Sequence, residues 1–207
     1  MDAVEVRVLG CLIEKEITTP EYYPLTLNAL VNACNQKNNR DPVVNYDEAT
    51  VDDALRRLRA KGLSTVLTGG GNRVPKHSHR VNEKMNFGRR DLAIICELML
   101  RSPQTLGELN ARTERMHKFG GIDEVEACVN SLIERGLVAR YPAGPGRKEP
   151  RYGHLLSGEL PAPAAEEPVG GAASPDRLRA LEGEIAELRE KLGQIEREWT
   201  EFRKQFE

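Results

Sequence analysis

"RVPKHSH", residues 73–79, and "KEPRYGH", residues 148–154, are two versions of one short basic strand. Pro75 and Pro150, Lys76 and Arg151, His77 and Tyr152, and His79 and His154 each lie 75 residues apart. One offset shared by so many positions marks a duplicated unit, and a repeat governs every later reading of the chain.

The repeat extends backwards. "TVDDALRRLRAKGL" (50–63) aligns with "EVEACVNSLIERGL" (124–137) at an offset of 74, pairing Val51 with Val125, Leu55 with Val129, Leu58 with Leu132 and Gly62 with Gly136. Apolar residues at i, i+4 and i+7 closed by glycine predict an amphipathic helix with a C-terminal stop. Upstream, "TLNAL" (26–30) matches "TLGEL" (105–109), each opening on a threonine in the N-cap position of a second helix. Earlier still, "VLGCLI" (8–13) matches "IICELM" (94–99), the first helix of each copy. Gly69 to Gly71 and Gly144 to Gly146 supply hairpin tips, where positive φ is needed. Three helices followed by a basic hairpin describe the winged-helix variant of the helix-turn-helix. The expected fold is mainly α with small β-hairpin wings. It comprises two tandem winged-helix domains, 1–85 and 86–158, a Pro/Ala/Gly linker at 159–176 and a coiled-coil helix at 177–207.

Three segments carry a resemblance to a known family: "TPEYYPLTLNALVNACNQKNNRDPV" (19–43), "LMLRSPQTLGEL" (98–109) and "PGRKEPRYGHLLSG" (145–158). They resemble the signature segments of the YceH family of uncharacterised bacterial proteins, and the likeness runs from about residue 3 to 158. It implies a tandem winged-helix fold and a DNA-binding-like architecture, and it brings no reaction, ligand or catalytic residue with it. Function therefore has to be argued from the site.

The formal net charge is −2, but it is unevenly spread. Residues 1–85 hold 12 Lys/Arg against 11 Asp/Glu, 86–158 hold 11 against 9, and 159–207 hold 7 against 12. The acid sits in the tail, and the two copies are only slightly basic. Cys11, Cys34, Cys96 and Cys128 are far apart with no CxxC, and the N-terminal stretch lacks a signal-peptide pattern. Reduced thiols packed in helices, and a cytoplasmic protein, are the expectation. No apolar run approaches the ~20 residues of a membrane span.

The tail carries its own pattern. Leu178, Leu181, Ile185, Leu188, Leu192, Ile195, Trp199, Phe202 and Phe206 recur at alternating spacings of three and four, a heptad seam. A single helix docked on its own chain would show the same stripe. In a parallel homodimer, however, Glu184 would meet Arg189, Lys191 would meet Glu196 and Glu198 would meet Arg203, all attractive pairs. Parallel homodimerisation is the expectation, with large rings at Trp199 and Phe206 fitting that seam poorly.

In a winged helix the third helix enters the major groove and the wing grips phosphate or minor groove. The outward face of the first third helix holds Asp53, Arg56, Arg57 and Ala60; that of the second holds Asp123, Ala127, Asn130, Ser131 and Glu134, with no cation. Carboxylates at a helix start suit the helix dipole, yet in a groove they face phosphate on both walls. Cations lie on the wings, Arg73, Lys76 and Arg80 in the first and Arg147, Lys148 and Arg151 in the second, where charge for solubility is the competing account. The loop "NQKNNR" (35–40) offers Gln36, Lys37, Asn39 and Arg40 beside the first third helix, unless its asparagines merely form Asx-turns.

Duplex DNA is therefore the expected partner of a non-enzymatic protein, a candidate regulator of transcription. An unidentified protein partner, meeting acidic third-helix faces on a scaffold, is the alternative. His77 and His79 have a spacing that metals use but lack acidic or cysteine partners, so neither metal nor cofactor is expected. Wing histidines titrating near neutral pH would make a sensor, a weaker possibility. The glycine-rich stretches lack P-loop context, and no catalytic Ser/His/Asp or Cys/His set stands out. Tyr22 and Tyr23, flanked by Pro20 and Pro24, are expected to cover the core, or else to form a partner patch.

Overall fold

Each copy is built by the same local chemistry. In the computed structural model, which describes residues 1–69, 72–143 and 149–158 together with Gly193, α1 (Ala3–Thr18) opens on a capping box in which Asp2 and Glu5 exchange backbone hydrogen bonds of 2.8 and 2.9 Å. A short 3-10 turn (Pro20–Tyr22) and the two-residue β1 (Leu25–Thr26) lead to α2 (Leu27–Cys34), where the Thr26 hydroxyl caps Ala29 N. Then come α3 (Glu48–Ala60), β2 (Ser64–Gly69), β3 (Asn72–His79) and the short α4 (Val81–Met85). The second copy runs α5 (Arg89–Leu100), α6 (Leu106–Thr113), α7 (Ile122–Glu134), β4 (Val138–Tyr141) and β5 (Arg151–His154). The described chain is mainly helical with small antiparallel sheets.

The duplication holds at the level of single hydrogen bonds. Gly62 and Gly136 adopt φ of 70° and 68°, past the ends of α3 and α7, as the predicted stops require. Leu63 N donates to Leu58 O at 2.9 Å, and Leu137 N to Leu132 O at 3.0 Å. Where each hairpin closes, Arg80 N reaches Leu63 O and Leu155 N reaches Leu137 O, at 2.9 and 2.8 Å. In copy one, β1 adds a third strand, Leu25 opposite His77, in the order β1-β3-β2. Copy two repeats it with one residue: Gln104 and Tyr152 exchange both backbone bonds, at 2.9 and 2.7 Å.

The copies share one core. α1 packs against α2 and α3 on its own side and against α5 on the other, so it is buried from Glu5 to Glu14. Leu9, Leu12, Leu55 and Leu58 join Ile94, Leu98, Val129 and Leu132 in one continuous apolar cluster, each at most 1% exposed. Cys96 Sγ lies 3.3 Å from Gly10 O, where the two first helices touch. The described residues from 1 to 158 belong to one compact unit. The expected heptad residues Leu178 to Phe206, and the expected wing cations Arg147 and Lys148, lie outside the described residues, as does the side chain of Arg73. All four cysteines are buried free thiols, as expected. Among the described residues no helix is long and apolar enough to cross a membrane.

Candidate nucleic-acid interface

Burying Val51, Leu55 and Leu58, each 0% exposed, turns the opposite side of α3 to solvent. That side carries both charges. Arg56 is clasped by Asp52 at 3.4 Å and Asp53 at 2.9 Å, while Arg57 bridges Asp53 at 3.1 Å and also bonds Asp2. Exposed pairs of this kind are close to neutral in energy, so a phosphate can compete for either guanidinium. Arg59 is half-buried, has no ion pair among the described residues, and lies close enough to β3 to disfavour charge on His77. The helical pattern hid it, because Arg59 follows buried Leu58 at the edge of the apolar face; its only sequence signal is a third arginine after Arg56 and Arg57.

The hairpin cations divide by what already holds them. Lys76 sits in β3 opposite both Thr26 and Leu67, half-buried, with no ion pair among the described residues. Arg80, just past the strand, is exposed and gripped by Glu83, its Nε at 3.0 Å. Arg151 turns inward: its Nη1 donates to Pro103 O at 2.6 Å and to Glu108 Oε2 at 3.2 Å. It therefore ties β5 to the start of α6 and is not a free cation of the second hairpin.

The loop at 35–40 behaves differently from its polar sequence. Arg40 is 5% exposed, and its guanidinium meets both Glu14 oxygens, at 3.2 and 2.6 Å, while also donating to Ala33 O and Gln36. Arg40 is thus an interior residue, out of reach of a phosphate, contrary to expectation. Burial pushes the Glu14 carboxyl up, but the Arg40 contact outweighs it and holds Glu14 below its ordinary range. Gln36 is half-buried between Arg40 and Lys15, and Asn39 takes a left-handed turn with φ of 59° while accepting from Arg101. Asn35 brackets the backbone of Tyr46 at 2.8 Å on both sides. The asparagines build the loop, and Lys37 alone is left as an exposed cation without an ion pair among the described residues.

On α7, Val125, Val129 and Leu132 are 0% exposed and the expected outward face is solvent-facing, with Asp123, Glu126 and Glu134 exposed beside Ile122, itself 49% exposed. His77 and His79 are both buried, and His79 Nε2 is 2.8 Å from Glu16. Burial lowers the pKa of each, moving their titration away from neutrality and against the sensor reading. The tyrosines split: Tyr23 is partly buried and accepts from His79 N at 2.8 Å, whereas Tyr22 is 72% exposed. Among the described residues no cluster of three or more His, Cys, Asp or Glu is placed to hold a metal.

The fold and this surface define a duplicated, mainly helical protein with two exposed third helices of unlike charge. The chain belongs to the family described as "Protein of unknown function, DUF480", whose pattern matches residues 1–147. It is similar to a UPF0502 protein of Solibacter usitatus, 52% identical over 212 aligned positions that cover 100% of this chain and 98% of that one. A UPF0502 protein of Pelobacter propionicus is 50% identical over 217 positions, with the same coverages of 100% and 98%. A third, of Citrifermentans bemidjiense, is 54% identical over 90% of this chain and 88% of its own. This is the family that the motifs at 19–43, 98–109 and 145–158 resemble.

Proposed function

We propose that the protein is a non-enzymatic tandem winged-helix protein that binds duplex DNA, a regulator of transcription, and that copy one makes the contact. The observation that carries this reading is the packing of the copies through α1 and α5, which leaves the outward side of α3 open to solvent with β2 of the hairpin packed beside it. Arg56, Arg57 and Arg59 on α3 and Lys76 on the hairpin are then the phosphate-binding set, with Lys37 and Arg80 at its margins. Arg40 and Arg151 leave the set, being committed to interior contacts. The test is anisotropy of a labelled duplex, titrated at salt from about 50 to 200 mM. Binding should weaken steeply with salt, and Lys76→Ala and Arg56→Ala should each reduce the salt slope by about one across unrelated sequences. No binding at about 50 mM salt would remove the reading.

The alternative, a protein-docking scaffold, draws on α7. Its face joins three exposed carboxylates to an exposed isoleucine, with no cation among the outward residues. Such a face suits a basic protein partner and opposes phosphate. A duplex-binding protein whose affinity is unchanged by Glu126→Lys would keep α7 off the DNA and available to a protein.

A further inference from the structure

A cavity of about 300 Å³ lies at the junction of the two copies, and none of the DNA-facing residues lines it. The start of α1 and the loop at 41–46 form its first-copy wall; the end of α5 and β5 form the other. Val6, Pro42, Tyr46 and Met99 give it an apolar lining, and its volume falls at the lower end of the range for small-molecule sites.

Two lining groups are left incomplete by the protein. Arg7 is 4% exposed, and among the described residues its guanidinium donates only to backbone carbonyls, Cys34 O at 3.3 Å and Pro42 O at 2.6 Å. No carboxylate pairs with it among the described residues, and a guanidinium has five N–H donors to place. A buried charge without a counter-ion is costly, and a buried polar atom without a partner is uncommon. His154 supplies the second case: it is 5% exposed and neither of its ring nitrogens has a hydrogen-bond partner among the described residues. The other lining cation, Arg101, is already neutralised by Glu97 at 2.8 Å. Asp41 is the one carboxylate of the lining, and it is exposed to water, where its repulsion is screened.

We propose that this cavity binds a small organic monocarboxylate, its charge compensating Arg7, its oxygen accepting from a ring N–H of His154, and its apolar body lying against Val6, Pro42, Tyr46 and Met99. The site stands whether or not DNA is the partner of α3. Burial keeps His154 neutral at pH 7, so the ring donates through a single N–H and adds no second charge. A carboxylate makes good both deficits at once; a neutral ligand of the same shape answers neither the charge nor the donor. Because its walls come from both copies, an occupied cavity bears on how the copies are held together.

The test uses the full-length protein and isothermal titration calorimetry with straight-chain monocarboxylates from acetate to octanoate, benzoate, and the matching amides. At least one carboxylate with an apolar body should bind with one site per chain at submillimolar Kd, with its amide and acetate each at least tenfold weaker. His154→Phe, which keeps the ring and removes the donor, should weaken that carboxylate at least tenfold, as should Val44→Trp, which fills the cavity from its lining. Circular dichroism checks that both variants fold, and histidine ¹⁵N spectra should show the His154 resonance moving on titration of the native chain. The proposal is overturned if no carboxylate binds below about 1 mM, if amides bind equally well, or if both folded variants retain native affinity.

Discussion

Glu14 is 4% exposed, and its carboxylate is held by Arg40, a residue from a loop that reads as surface in every respect. The pair fastens the 35–40 loop to α1, and removing one partner strands the other charge inside the protein. Arg40→Ala is expected to cost about 3–5 kcal/mol in urea unfolding, whereas a surface arginine would cost a few tenths. Nothing in "NQKNNR" announces this, because a loop has no period to separate inside from outside, and a buried arginine differs from an exposed one only by a partner 26 residues away in sequence. His154 gives the residue-scale prediction in pH. Burial lowers it from the ordinary 6.5 to about 4, so between those values the unfolded chain binds the proton that the folded one refuses. Stability should therefore rise with pH across that window, by about 3 kcal/mol from this group at most. His154→Phe should make the urea midpoint depend less steeply on pH between about 4.5 and 6.5, leaving the share of His77 and His79, which burial lowers in the same direction. An unchanged slope would mean that the imidazole is already charged in the folded protein.

At the scale of elements, the sequence pattern was most legible where chemistry is local. Val51, Leu55 and Leu58 alternate with charge at helical spacing, Thr26 and Thr105 stand where an N-cap is needed, and Gly62 and Gly136 stand where φ turns positive; all are found in those roles. What escaped was structure made by pairing at a distance. β1 and its counterpart Gln104 are too short to have a period, α4 is a single turn, and Arg151 looks like any strand cation until Glu108 is beside it. The Thr105 cap tests how these pieces depend on each other. Its hydroxyl accepts from Glu108 N at 3.2 Å while Glu108 Oε2 returns a contact to Thr105 N at 2.9 Å and holds Arg151. Thr105→Ala should cost about 1 kcal/mol, whereas Thr105→Ser should cost far less, both read from denaturant midpoints. Gly136→Val should be worse than either, by about 1–2 kcal/mol, since a β-branched residue resists the left-handed conformation at φ of 68°.

At the scale of the molecule, the repeat in the sequence marks two copies but not how they join. The cue was present in α1, whose residues from Glu5 to Glu14 are buried all round, although its apolar residues are interrupted by Arg7, Gly10 and Glu14. A first helix covered on one side by its own copy would keep a polar stripe to solvent; this one meets α5 instead, and its carboxylates Glu5 and Glu14 pair with Lys61 and Arg40. Gly10 is the closest point of that contact. A Cβ there would lie 2.9 Å from Leu100 Cδ2 and 3.2 Å from Met99 Cβ, tighter than side chains tolerate without displacement. Gly10→Val should therefore destabilise by about 1–3 kcal/mol through overpacking. Because the core is continuous from Leu9 to Leu132, the loss should fall on both copies together. Amide exchange reads this directly: protection of the α3 amides at 51–58 and of the α7 amides at 125–132 should drop by the same factor. Loss confined to α3 would mean that the copies open separately, as two domains in contact, and that the α1–α5 packing is an interface between them instead of a shared interior.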